Sequence, residues 1–140
     1  MLLSLLTATA LMMLSPPAPS PGQGALVALF ARDVAVSVKT SAQTKPQPTL
    51  GKARRWQPGA CRSGLEIRLP GLPALSYDIN WSRAAVSYPP GGRQVTLSRG
   101  AAPPTSVPVA VALTFQFGTA SDAKTAAAAM NRLRTACAVG

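Results

Sequence analysis

From Cys61 onward, apolar and polar residues alternate with a period of two over most of the chain, and only the last segment shifts to the spacing of a helix. Leu65, Ile67 and Leu69 alternate with Glu66 and Arg68. In the next segment Leu75, Tyr77, Ile79 and Trp81 share one face, while Ser76, Asp78 and Asn80 share the other. Ala84 to Tyr88 and Gln94 to Arg99 flank Pro89-Pro90-Gly91-Gly92, in which proline presets a turn dihedral and glycine supplies a positive φ; this predicts a hairpin. Val107 to Phe117 is the longest apolar strand, with Val107, Val109, Val111, Leu113, Phe115 and Phe117 on one face and Pro108 confining its start to an edge or a bulge. Ala123 to Ala138 then reads as a helix, with Ser121 as N-cap and Asp122 in the first turn. Its apolar stripe runs through Ala123, Ala126, Met130, Leu133 and Cys137. The expected fold is therefore α+β, an antiparallel meander of about four to five strands followed by one C-terminal helix packed on the sheet.

Upstream of Cys61 the pattern weakens. Val34, Val36 and Val38 alternate within Asp33 to Lys39, which predicts a short strand at a sheet edge. Thr40 to Pro58 is polar, basic and interrupted by Pro46, Pro48 and Pro58, the composition of a linker. Leu2 to Leu14 is an uncharged Leu-rich run of signal-peptide length, followed by the turn-forming Ser15 to Gly24. These features divide the chain into a signal peptide over 1–22, cleaved after Gly22, a poorly ordered or edge-strand segment with a basic linker over 23–55, and a single α+β domain over 56–140. The alternative is an uncleaved membrane anchor, formed if the apolar run Ala25 to Ala31 joins the first. Export makes the protein periplasmic or extracellular. It also fits two cysteines, Cys61 and Cys137, that are far apart and lack metal or redox spacing, the arrangement of a structural disulfide. In the chain-entropy model a bridge closing so long a loop stabilises by roughly 4–5 kcal/mol.

The succession of many strands and one helix, with Val107 to Phe117 running almost directly into Ala123 to Ala138, resembles the close of a pleckstrin-homology-type domain. The resemblance implies an alternative fold, a small barrel with a C-terminal helix. It carries no residue roles.

Charge narrows the chemistry further. All fourteen basic and four acidic residues lie at or beyond Arg32, so the formal net charge of +10 survives loss of a leader. Such a field attracts polyanions. With no histidine in the chain, triad and Cys-His nucleophilic schemes are excluded. No metal-ligand cluster is legible and no cofactor is indicated. Glu66 and Asp78 are the one conceivable carboxylate pair, with solvated strand positions paired with Arg68 or Arg83 as the simpler reading. Gly91-Gly92-Arg93 precedes a strand rather than a helix, so it is a turn and not a phosphate loop. The densest basic stretch comprises Lys45, Lys52, Arg54, Arg55 and Arg62 with Trp56 embedded, a candidate anion-binding segment. The leading expectation is a small exported non-enzymatic binding or structural protein of the cell envelope, its partner an anionic envelope component or another protein. The rivals are a cytoplasmic nucleic-acid-associated protein and a small envelope enzyme using carboxylates.

Overall fold

A computed structural model describes residues 20–40, 49–104 and 111–138. The leader Leu2 to Leu14 and Lys45 lie outside the described residues, as do Val107, Pro108 and Val109. Seven strands follow a short helix and precede a long one: α1 (Gln23–Leu29), β1 (Val34–Thr40), β2 (Thr49–Pro58), β3 (Arg62–Arg68), β4 (Leu75–Asn80), β5 (Ala85–Ser87), β6 (Gln94–Ala102), β7 (Val111–Gln116) and α2 (Ala120–Cys137).

All strand pairs are antiparallel, in the order β4-β3-β2-β1-β7-β6-β5. The sheet does not stay open. Asp78 and Ile79 of β4 pair with Ala102 and Ala101 of β6, closing six strands into a barrel, with β5 alongside the first half of β6. The expected meander is thus corrected to a barrel capped by a C-terminal helix. The physical reason is β1: it pairs with β2 on one side and β7 on the other, so it joins the two halves of the sheet and has no free edge.

β2 occupies sequence that reads as linker, and a bulge explains why. Its register against β3 shifts between Arg54 and Gln57, and Arg55 takes a left-handed φ of +62°. The two inward residues, Ala53 and Trp56, are therefore three apart rather than two, and no alternation is visible. Turned out of the ladder, the Arg55 backbone N–H donates to the Phe30 carbonyl at 2.9 Å, tying the end of α1 to the barrel wall.

Phe30 is the hub of the core. Its ring stacks on Trp56 at 5.2 Å and meets Phe115 edge-on at 5.2 Å and Phe117 at 6.0 Å, while Trp56 reaches Trp81 at 6.0 Å. Leu26, one turn earlier, is also fully buried. α2 caps this core with Ala123, Ala126, Met130, Leu133 and Cys137, the stripe expected from its spacing, and packs against α1, β5 and β6. Its N-cap is Thr119, two residues before Ser121; the Thr119 hydroxyl accepts from the Asp122 N–H at 3.0 Å. Gly22 holds φ +98°, and a Cβ there would stand 2.7 Å from the Ala129 carbonyl oxygen, so only glycine lets the chain enter α1 this close to α2.

One buried polar residue organises the junction. The Gln23 carbonyl oxygen accepts from Trp56 Nε1 at 2.6 Å and from the Ser63 hydroxyl at 2.8 Å, and its amide donates to the carbonyls of Gly59 at 2.7 Å and Arg62 at 3.1 Å. Ser63 in turn accepts from Trp81 Nε1 at 2.8 Å. Both indoles are thereby satisfied inside an apolar core. Beside this network Cys61 and Cys137 form a disulfide, and the Ser20 hydroxyl accepts from the Cys61 N–H at 2.8 Å. Gln23→Ala leaves two buried donors and two carbonyls without partners; the expected loss is about 2–4 kcal/mol in chemical denaturation. A loss below about 0.5 kcal/mol would show the network to be dispensable.

Candidate functional site

Of the basic residues singled out in the sequence, Lys52, Arg54 and Arg55 lie on β2 and Arg62 begins β3. Lys52 and Arg54, two apart on β2, share the outer face of the barrel. Past the bulge, Trp56 turns inward and is 4% exposed, so its ring is a core member with no face open to a ligand. Arg55 projects outward and pairs with Glu66 at 3.2 Å. Arg62, at the other end of β3, pairs with Asp78.

These ion pairs also settle the arrangement of the carboxylates. Cross-strand partners place Glu66 opposite Ser76 and Asp78 opposite Gly64, so the two carboxylates do not face each other. Their arginine partners are Arg55 and Arg62 rather than the expected Arg68 or Arg83. Both pairs lie at the surface, a class worth at most about 1 kcal/mol each. Among the described residues no group of three His, Cys, Asp or Glu is placed to hold a metal ion. No helix among them is long and apolar enough to cross a membrane.

A cavity of about 640 Å³ opens where β2, β3 and the β3–β4 turn meet. Lys52, Arg54 and Arg68 stand around it with Asp33 and Glu66, and Leu50, Leu69 and Leu72 supply its apolar surface. Gly51 lies beneath: a Cβ would come within 2.5 Å of the Arg68 carbonyl oxygen and 2.7 Å of a Leu69 methyl, so glycine is what allows Leu69 to close over β2. Three contributors were not singled out in the sequence. Arg68 reads there as the partner of a carboxylate, and Leu50 and Leu72 sit in segments that read as linker and turn. What joins them is register: Lys52 is directly opposite Arg68 and Arg54 directly opposite Glu66.

A second cleft of about 500 Å³ lies between the Ser82–Ala84 turn and the second half of β6, with Arg83 and Arg99 beside Ser82 and Ser98. Both hydroxyls are engaged within the protein, Ser82 with the Asn80 side chain at 2.6 Å and Ser98 with the Ala85 carbonyl at 3.3 Å. The cleft is basic, and its apolar lining is Ala84, Ala101 and Val111.

No protein-family model, no curated protein and no solved structure matches this chain. The site must be read from its own residues.

Of the titratable groups, Tyr77 stands out. Burial in the barrel wall, where it lies opposite Leu65, disfavours the phenolate and raises its pKa above the usual value of 10.0. The unfolded chain ionises first, so the Tyr77 contribution to stability is present below about pH 10 and is lost as pH rises through the higher folded value. Stability measured across the alkaline range should fall with pH, and Tyr77→Phe should flatten that fall; an unchanged slope would show that Tyr77 ionises in both states alike.

Proposed function

We propose that the protein is an exported, non-enzymatic binding or structural module of the cell envelope that meets an anionic component or another protein through its basic outer face. The observation that carries this reading is the Cys61–Cys137 disulfide. It joins the end of α2 to the turn before β3, at the seam where α1 enters the core, and disulfides of this structural kind persist in oxidising compartments. The Leu-rich run Leu2 to Leu14 supports export in the same direction. The meander order of the strands and the helix that caps them favour a pleckstrin-homology-like barrel as the architecture of the module. The chain's chemistry supports binding over catalysis: there is no histidine, and Glu66 and Asp78 are both committed to arginines.

Export on these terms moves the cleavage point. Ser20 holds the Cys61 N–H and its own N–H donates to the Gly59 carbonyl at 3.2 Å, so a cut after Gly22 would remove contacts at the disulfide itself. We therefore place the cut on the N-terminal side of Ser20. Intact-mass measurement on fractionated cells, with alkylation before and after reduction, tests this. The expected result is a shortened chain in the envelope or medium that retains Ser20 and exposes thiols only after reduction. A full-length chain in the cytosol with both thiols open to alkylation would overturn it.

A further inference from the structure

We propose that the cavity between β2 and β3 is a binding site for a single-chain anionic amphiphile, an alkyl chain carrying one carboxylate or phosphate head; this deepens the binding-module reading and rests on it. Lys52 and Arg68 are direct cross-strand partners, an arrangement in which like charges repel and cost stability. Neither has an acidic partner among the described residues, because Asp33 faces Arg54 and Glu66 is held by Arg55. Arg54 adds a third unmet demand. Its Nε is shielded from solvent without a hydrogen-bond partner, and the Asp33 carboxylate stands 3.8 Å away. An anion seated between Lys52 and Arg68 would relieve the repulsion and take charge-assisted hydrogen bonds from both.

The apolar side of the site is equally unmatched. Leu50 and Leu72 are 67% and 55% exposed, the two most exposed large apolar residues among those described, and both border this one cavity. Leu69, closed over Gly51, continues their surface inward. An inorganic anion would satisfy the cations and leave the leucines wet. A neutral alkyl chain would do the reverse. A ligand with both parts meets both demands, and about 640 Å³ lies within the range of small-molecule sites. Asp33 and Glu66 beside the cations favour a single head over an extended anionic surface, so the occupant is one dispersed amphiphile and not a bilayer.

Isothermal titration of the oxidised full chain tests this, with decanoate and decyl phosphate below their micellar concentrations, and with decanol, inorganic phosphate and phosphatidylglycerol vesicles as separate arms. Saturable one-to-one binding of decanoate or decyl phosphate is expected, at least about tenfold tighter than decanol or inorganic phosphate. The preferred head tells carboxylate from phosphate. Lys52→Gln and Arg68→Gln should each weaken binding about tenfold. Leu50→Ser and Leu72→Ser should each weaken it several-fold, and Arg83→Gln, in the other cleft, should leave it unchanged. These side chains are exposed, and an unaltered near-UV circular dichroism spectrum certifies each variant as folded. No saturable binding of either amphiphile, equal binding by a folded Lys52→Gln/Arg68→Gln double variant, or binding to vesicles alone would overturn the proposal. The two readings fail separately: an exported, oxidised protein that ignores both amphiphiles overturns the site alone, and a cytosolic chain that binds them overturns the envelope assignment alone.

Discussion

The fold turns on one buried amide. Gln23 lies on the first turn of a short helix that a seven-residue segment could not sustain alone, and it is held there by the four hydrogen bonds it makes to β2, to β3 and to the turn between them. In an apolar core such bonds are strong, and the groups would be costly to leave unpaired. Satisfying them fixes where α1 enters, which sets Leu26 and Phe30 into the mouth of the barrel, and Phe30 then organises the aromatic cluster. The disulfide acts at the same seam: Cys61 lies two residues before Ser63, and Cys137 ends the helix that covers α1. The residues before β1 are therefore part of the core.

The last strand and terminal helix were legible because their sequences obey a single period: every residue of the expected α2 stripe is buried, and Leu113, Phe115 and Phe117 face inward as their alternation implies. β3 was legible for the same reason, as was β4 apart from the exposed Leu75, while the β5–β6 hairpin was legible from its Pro-Pro-Gly-Gly turn, in which Gly91 holds a φ of +78°. What was hidden lies at departures from periodicity. The bulge at Arg55 puts Ala53 and Trp56 on one side, so β2 carries no alternation, and without β2 the central place of β1 cannot be inferred from three valines. Gln23 was hidden differently, since a polar residue between glycines reads as loop until both tryptophans are seen to need an acceptor.

The same bulge separates the candidate site from the core. Before it, Lys52 and Arg54 face solvent alongside Arg68; after it, Trp56 is committed to packing and Arg55 to Glu66. Of the basic stretch read in the sequence, Lys52 and Arg54 border the cavity, Arg55 and Arg62 pair with Glu66 and Asp78, and Lys45 lies outside the described residues. The cavity was illegible because it depends on register, which brings Arg68 opposite Lys52, and on turns that leave Leu50 and Leu72 beside them. An uncompensated pair of cations next to exposed leucines is the kind of local conflict that folded proteins retain where a ligand resolves it.

The central claim is that the segment from Ser20 to Phe30 belongs to the folded core. The most direct measurement compares chains beginning at Ser20 and at Ala31 by equilibrium denaturation followed through tryptophan emission. The chain from Ser20 should unfold cooperatively from a state with both indoles buried, and the chain from Ala31 should show no cooperative transition. A chain from Ala31 that folds with undiminished stability would contradict the claim.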